Sequence, residues 1–199
     1  SIILFVLVAV GMYFAPALVR LYAPEFFTTG FEVEKEIAIA FTRYCLPQIF
    51  FLGLFTMLGQ VANARGSFAP LMWAPIANNI VGIALFGAFL VFSPSVSIDN
   101  ISNTQVLILG WGTTLSVVVQ ALVLVPVIKR LGIKLRPQWG VKGLGKSFGL
   151  AGWTLIYVLI SQLGYLVTVN VATSAAVRSA QEGIERGVGY TPYTFAYYV

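Results

Sequence analysis

Long apolar runs separated by short polar gaps organise the whole chain. Crossing roughly 30 Å of hydrocarbon takes about 20 mostly apolar residues in a helix. Five runs reach that length and a sixth is truncated at the end of the chain, at about 2–22, 38–62, 69–92, 106–128, 148–175 and 190–199. The pattern predicts an all-α polytopic membrane protein in which residues 1–199 form part of one transmembrane helix bundle.

Charged residues in the gaps alternate in sign along the chain. All seven acidic residues lie in the gaps near 23–37, 93–105 and 176–189. The gaps near 63–68 and 129–147 contain Lys and Arg but no acidic residue. Because basic residues accumulate in cytoplasmic loops, we predict that the basic gaps are cytoplasmic and that the acidic gaps are extracytoplasmic. The basic residues would also contact the headgroups of membrane lipids.

Composition supports a membrane protein and excludes several kinds of chemistry. The chain is 58% hydrophobic and 10% charged, whereas soluble domains carry about 25% charged residues. It contains no His and a single Cys, which removes His-based catalytic triads and Cys/His metal centres. We therefore predict no catalytic residue, metal or cofactor. The net charge of +5 follows from membrane topology, so nucleic acid is not an expected partner.

Three of the runs carry small and polar residues at helical spacing, so each set lies along one stripe of its helix. The sets are Gly53, Thr56, Gln60 and Asn63 in the second run, Gly110, Thr113, Val117 and Gln120 in the fourth, and Thr154, Tyr157, Ser161, Gly164 and Thr168 in the fifth. Such stripes either line a hydrated cavity between helices or let membrane helices pack closely. Three stripes in five runs favour a bundle that is partly hydrated inside. The stripe residues that we assign as candidates for lining this cavity are Gln60, Asn63, Gln120, Ser161 and Thr168.

Arg43 is the one charged residue that lies clearly inside an apolar run. Its side chain either extends to the outer headgroups or faces the bundle interior, where it would pair with an anionic substrate. The second interpretation adds Arg43 to the cavity candidates. Four residues later, Pro47 removes a backbone hydrogen bond and predicts a kink in this span. The same argument predicts kinks at Pro16, Pro75 and Pro126.

The gap after the second run has a sequence that favours a tight turn between two helices. Gly66 supplies backbone freedom for a reversal, Ser67 is a candidate cap for the next helix, and Pro70 suits the first turn of that helix. The turn and its surroundings resemble the MurJ (MviN) family of bacterial lipid II flippases over about residues 1–170. The matching positions are Asn63, Arg65, Gly66, Phe68, Pro70, Pro75 and Asn78.

The resemblance implies a fourteen-helix flippase of the multidrug/oligosaccharidyl-lipid/polysaccharide exporter superfamily in the bacterial cytoplasmic membrane. Both chain ends interrupt apolar runs, so this chain is expected to be an internal piece, about helices three to eight, with the remaining helices as partners. The family moves lipid II, an undecaprenyl-pyrophosphate-linked muropeptide, to the outer leaflet by alternating access during peptidoglycan biosynthesis. It is a transporter family and not an enzyme family.

Two further points qualify the resemblance. Exporters of the same superfamily that carry lipid-linked oligosaccharides or drugs are the alternative function. The chain also departs from the family in the last run, where Tyr197 and Tyr198 stand in place of an Asp and an Arg. The segment from Tyr44 to Phe51 is most similar to actinobacterial members.

Overall fold

The computed structural model describes residues 2–93, 96, 100–133, 144–183 and 188–198, and for residues 144–148, 150 and 151 it describes the backbone alone. Every regular element in these residues is helical, which confirms the all-α prediction. The α-helices are α1 (Ile2–Tyr13), α2 (Ala15–Tyr22), α3 (Glu32–Cys45), α4 (Pro47–Ala64), α5 (Ala69–Phe92), α6 (Asn103–Arg130), α7 (Leu144–Gln181) and α8 (Tyr190–Tyr198). A 3-10 helix, Pro24–Phe27, follows α2.

Within the described residues, four helical segments are long and apolar enough to cross a membrane, namely Glu32–Ala64, Ala69–Phe92, Asn103–Arg130 and Gly152–Gln181. They correspond to the second to fifth predicted runs and confirm the polytopic class. The first run is not one straight helix, because α1 and α2 are bent by 72°. The bend lies next to Pro16, as predicted, since a proline ring clashes with the carbonyl four residues back.

The helical hydrogen bonding of the second span is interrupted at Leu46, although this residue keeps α-helical backbone angles (φ −54°, ψ −37°) and Glu32–Ala64 remains one span. α4 begins at Pro47, so the interruption lies where the proline predicted it. By contrast, α5 and α6 continue through Pro75 and Pro126 as single helices. The second span begins at Glu32 rather than near residue 38, because the charged segment before the apolar run is helical and continuous with it.

α4 and α6 end in the same local structure. A glycine follows each helix end in the left-handed region, Gly66 at φ 75° and Gly132 at φ 71°. In each case the next N–H donates to a carbonyl five residues back, which completes a Schellman motif. These bonds join Ser67 to Ala62 at 3.0 Å and Ile133 to Ile128 at 3.3 Å. The predicted reversal at Gly66 is confirmed.

The chain divides into two compact units, residues 1–18 with 33–135 and residues 19–32 with 136–199. In the first unit α6 packs against α4 and α5. A core cluster near the ends of α4 and α6 consists of Leu58, Ala62, Ala74, Leu124 and Ile128. At the other end the Gln105 amide donates to the Ser93 hydroxyl at 3.1 Å. α4 and α6 therefore run in the same direction, and α5 runs in the opposite one.

The second unit is built on α7. The side chain of Asn170 donates to the Leu21 carbonyl at 3.0 Å, and the Ser174 hydroxyl donates to the Glu25 carboxylate at 3.1 Å. The hydroxyls of Tyr165 and Tyr190 are hydrogen-bonded to each other, which connects α7 to α8. These polar contacts hold the segment around the 3-10 helix and the start of α8 against one part of α7.

The spans differ in burial. In α6, 44% of the most apolar 18-residue window is buried, whereas the corresponding windows of α5 and α7 contain no buried residue. Large side chains such as Trp73, Phe92 and Trp153 are exposed. Broad exposed apolar faces are typical of surfaces that meet lipid or another protein segment. Among the described spans, α6 is the most buried within this chain.

Candidate functional site

A polar junction joins the break in the second span to α6. The Thr114 hydroxyl donates to the Tyr44 carbonyl at 2.6 Å, and the Gln48 amide donates to the Thr113 hydroxyl at 3.1 Å. The Cys45 sulfur lies 3.7 Å from the same Thr113 oxygen. Backbone groups freed by a proline in a membrane helix need partners of this kind. We use the term polar junction for these five residues.

The α6 stripe lies inside the packed first unit. A Cβ added at Gly110 would lie only 2.6 Å from the Tyr44 Cβ, so the two helices touch there without an intervening side chain. Val117 and Gln120 are each 6% exposed. For α6 the structure therefore favours the packing interpretation of the stripe, and Gln120 lies within the unit rather than on an open surface.

Arg43 and Gln60 have exposed side chains. Arg43 lies in the last turn of α3, directly before the break, and Gln60 lies near the end of α4. Both surfaces are open in this chain, which keeps the two residues as candidates for contact with a cargo.

Asn63 occupies an unusual position near the end of α4. Its side chain is half-buried, and its Oδ1 is a buried acceptor without a hydrogen-bond partner among the described residues. Leaving a buried polar group unpaired costs about 1–3 kcal/mol. A donor from another helix, from water or from a ligand would remove that cost, so Asn63 remains a candidate for the site.

The turn after Asn63 places the family-like residues at one end of the first unit. Pro70 lies in the first turn of α5, as predicted, but Ser67 does not cap that helix. The N-cap residue is Phe68, whose hydrocarbon side chain has no acceptor for a capping bond. Ser67 precedes it, and its N–H closes the Schellman motif of α4. Pro75 and Asn78 lie further along α5.

The same end of the first unit is electropositive. Arg65 follows α4, and Lys129 and Arg130 form the last turn of α6; all three side chains are exposed. Cations at helix C-termini interact favourably with the helix dipole. Lys134, Arg136 and Lys142 of the predicted basic gap lie outside the described residues.

The α7 stripe has a different environment from that of α6. Ser161 is exposed, and a Cβ added at Gly164 would meet no atom within 4 Å. The Thr168 hydroxyl donates to the Gly164 carbonyl at 3.1 Å, within its own helix. Ser161 and Gly164 therefore lie on an open surface, whereas Thr168 is half-buried. Among the described residues, no group of three or more His, Cys, Asp or Glu could hold a metal.

Sequence comparison identifies the family. The profile of the family described as Lipid II flippase MurJ matches residues 1–183. The chain belongs to the MurJ family. All six cavity candidates and all seven turn residues fall inside the matched region, whereas Tyr197 and Tyr198 lie beyond it. The roles of these individual side chains in a MurJ protein stay predictions.

Three curated relatives carry the name "Probable lipid II flippase MurJ". The protein of Buchnera aphidicola subsp. Baizongia pistaciae is 26% identical over 144 residues, which cover 72% of this chain and 26% of that protein. The Vibrio cholerae protein is 28% identical over 140 residues (69% and 25%), and the Rickettsia prowazekii protein is 29% identical over 105 residues (51% and 20%). The chain thus spans about a quarter of the length of these MurJ relatives.

The polar junction was not predicted from the sequence. The useful signal was present: Pro47 predicts a break, and a break within a membrane needs donors from side chains. Gln48 next to the proline and the hydroxyl pair Thr113 and Thr114 were suitable donors, but they lie on different spans. Only the structure shows which of them meet.

Proposed function

We propose that the full-length protein that contains this chain is a lipid II flippase and not an enzyme. It would move the undecaprenyl-pyrophosphate-linked muropeptide from the inner to the outer leaflet by alternating access. The observation that carries this proposal is the match to the MurJ family over residues 1–183. The names of three relatives from different bacteria support it.

The headgroup sets the physical problem that such a protein solves. A pyrophosphate with sugars and a peptide cannot enter hydrocarbon unaided, because burying charged and polar groups without partners is costly. A hydrated cavity that opens to each side in turn removes this barrier, while the polyprenyl tail stays in the bilayer. We assign Gln60, Ser161 and Thr168 to the polar lining and Arg43 to recognition of the anionic group. The exposure of Arg43, Gln60 and Ser161 supports this assignment, and Thr168 lies on the same stripe of α7 as Ser161.

We assign the protein to the bacterial cytoplasmic membrane, with the gaps between spans near 63–68 and 129–147 in the cytoplasm. The gaps near 23–37, 93–105 and 176–189 would then face outward. The gathering of Arg65, Lys129 and Arg130 at one end of the first unit supports this orientation, because cytoplasmic loops are enriched in basic residues. The opposite end of the same unit carries the neutral contact between Ser93 and Gln105.

Conditional depletion of the full-length gene in its native host tests the function. We expect the lipid II accessible at the outer leaflet to collapse while total lipid II is maintained or rises, because synthesis continues when export stops. Re-expression of the wild-type gene should restore exposure. Unchanged outer-leaflet lipid II in depleted cells that make normal cell wall would contradict the proposal and indicate another cargo.

Variants of Arg43 then test the assignment of the anion-binding residue. Arg43→Gln keeps much of the length of the side chain but removes its charge, so it should restore export poorly in depleted cells. Arg43→Lys is the matched control, since it keeps a cation at the same position and should restore more export. Equal restoration by both variants would remove Arg43 from the cargo site.

A further inference from the structure

The polar junction holds the second span on both sides of its break. The Thr114 hydroxyl donates to the carbonyl of Tyr44, which precedes Pro47, at 2.6 Å. The neighbouring Thr113 hydroxyl accepts from Gln48, which follows the proline, at 3.1 Å. Two adjacent residues of α6 therefore contact the last turn of α3 and the first turn of α4 at the same time.

The backbone at this point is less constrained than elsewhere in the span. Pro47 has no N–H, so the Arg43 carbonyl lacks its helical donor. The Ile49 N–H donates to the Leu46 carbonyl at 3.1 Å, a bond over three residues instead of four. Because the helical ladder is interrupted here, the side-chain bonds to α6 help to hold α3 and α4 in their relative orientation. Individual interhelical hydrogen bonds in membranes are weak, so this orientation can change at low cost.

The surroundings of the junction leave room for such a change without loss of the core. α6 is the most buried span, and the core cluster that fixes α4 to it lies further along, at Leu58 and Ala62. Tyr44 rests directly on Gly110, which provides a close contact point about which α3 can turn. Arg43, the residue before Tyr44, is exposed and would change its direction with α3.

We propose that Thr113 and Thr114 are positioning residues. Their hydrogen bonds to Gln48 and Tyr44, which we call the latch, hold the second span at its interruption, and α3 turns at Leu46–Pro47 when these bonds break. Each transport cycle then reorients Arg43 relative to α6, while α4 stays packed through its core cluster. The inference rests on the proposed function, since it assigns this movement to the export cycle. A static junction, in which the same bonds hold the break permanently, is the contrasting possibility.

A cross-link distinguishes a moving junction from a static one. Cys45 is the single Cys of the chain, and its sulfur lies 3.7 Å from the Thr113 oxygen. Thr113→Cys therefore places a second thiol opposite the first, and a disulfide with an S–S length of about 2.05 Å would fix the latch closed. The full-length protein, with any other Cys replaced by Ala, is oxidised in cells and its export of lipid II is measured. We expect oxidation to stop export and dithiothreitol to restore it.

A control variant shows whether the oxidant acts through the disulfide. Two further outcomes separate failure of the latch from failure of the flippase assignment. Cys45→Ala combined with Thr113→Cys cannot form the bond, so oxidant should leave its export unchanged. Full export by a completely cross-linked sample would overturn the latch and leave the flippase assignment intact. Absence of lipid II export in the wild-type protein would overturn the flippase assignment instead, and the latch is then judged from the next measurement.

Alkylation of the native Cys45 reports opening of the junction without any transport assay. Thr114→Val removes the bond to Tyr44, so N-ethylmaleimide should react with Cys45 about threefold faster, the change expected for one interhelical hydrogen bond. Thr114→Ser keeps the hydroxyl and should react at the wild-type rate. Equal rates for Thr114→Val, Thr114→Ser and the wild type would contradict the latch.

Discussion

α6 and α7 carry the same kind of sequence pattern and place it in opposite environments. Both helices have small and polar residues at helical spacing along one stripe. In α6 the stripe is packed, with Gly110 against Tyr44 and Gln120 buried. In α7 the stripe is open, with Ser161 exposed and free space around Gly164. A polar stripe in a membrane helix thus marks a face that differs from the lipid-facing surface, but it does not show whether that face packs against another helix or stays open.

The glycines show the difference most clearly. Small residues allow two membrane helices to approach closely, and a Cβ added at Gly110 of the α6 stripe would lie only 2.6 Å from the Tyr44 Cβ. In α7 neither Gly152 nor Gly164 has an atom within 4 Å of that position. The α6 stripe therefore packs within the first unit at Gly110, whereas no described atom packs against α7 at Gly164.

The largest expected difference comes from adding one methyl group to each stripe. Gly110→Ala should destabilise the full-length protein by about 2 kcal/mol, because the new Cβ overlaps the Tyr44 Cβ and forces a backbone shift. Gly164→Ala should be neutral or stabilise by up to about 1 kcal/mol, since alanine is the better helix former. Unfolding in a denaturant titration in detergent measures both. Equal destabilisation by the two variants would mean that the α7 stripe is also packed.

A smaller effect should be shared by both helices, because it depends on the helix end and not on the face. Gly132 after α6 and Gly183 after α7 have φ of 71° and 74°. Replacing either by Ala should cost about 1 kcal/mol, since side chains disfavour the left-handed region. The same titration checks it. A large difference between the two variants would show that one of these ends is held by tertiary contacts rather than by local geometry.

The smallest expected effect comes from removing one hydroxyl from each of the two helices. Thr114→Val should cost about 0.6 kcal/mol, the typical value of an interhelical hydrogen bond in a membrane. Ser161→Ala should change stability by less than about 0.5 kcal/mol, as exposed substitutions usually do, but should lower lipid II export. If Ser161→Ala is as stable as the wild type and exports lipid II equally well, Ser161 does not belong to the cavity lining.

Much of the fold could be predicted from the lengths of the apolar runs and from the glycines and prolines at their boundaries. The third run, predicted at 69–92, has the same bounds as α5, because a glycine turn and a proline mark its start. α6 extends beyond its predicted run of 106–128 at both ends. A capping box at Ser102 and the polar residues Lys129 and Arg130 lengthen the helix without lengthening the apolar run.

The partners of the stripes could not be predicted in this way. The bond between Thr114 and Tyr44 joins residues 70 positions apart, and helical periodicity carries no information about such pairs. The bend of 72° between α1 and α2 is similar, because Pro16 predicts a kink but not its size. The family, in contrast, was evident from the turn around Gly66 and is confirmed by the profile match.

Thiol accessibility along the two stripes tests the central comparison most directly. Single cysteines replace Val117 and Gln120 in α6 and Ser161 and Thr168 in α7, in full-length protein with Cys45→Ala, and a membrane-impermeant thiol reagent is applied to both sides of the membrane. We predict that the two α7 positions react, that added lipid II slows them, and that the two α6 positions do not react. Labelling of the α6 positions at the rate of the α7 positions, or no labelling in α7, would contradict the assignment of the α7 stripe to a hydrated transport cavity.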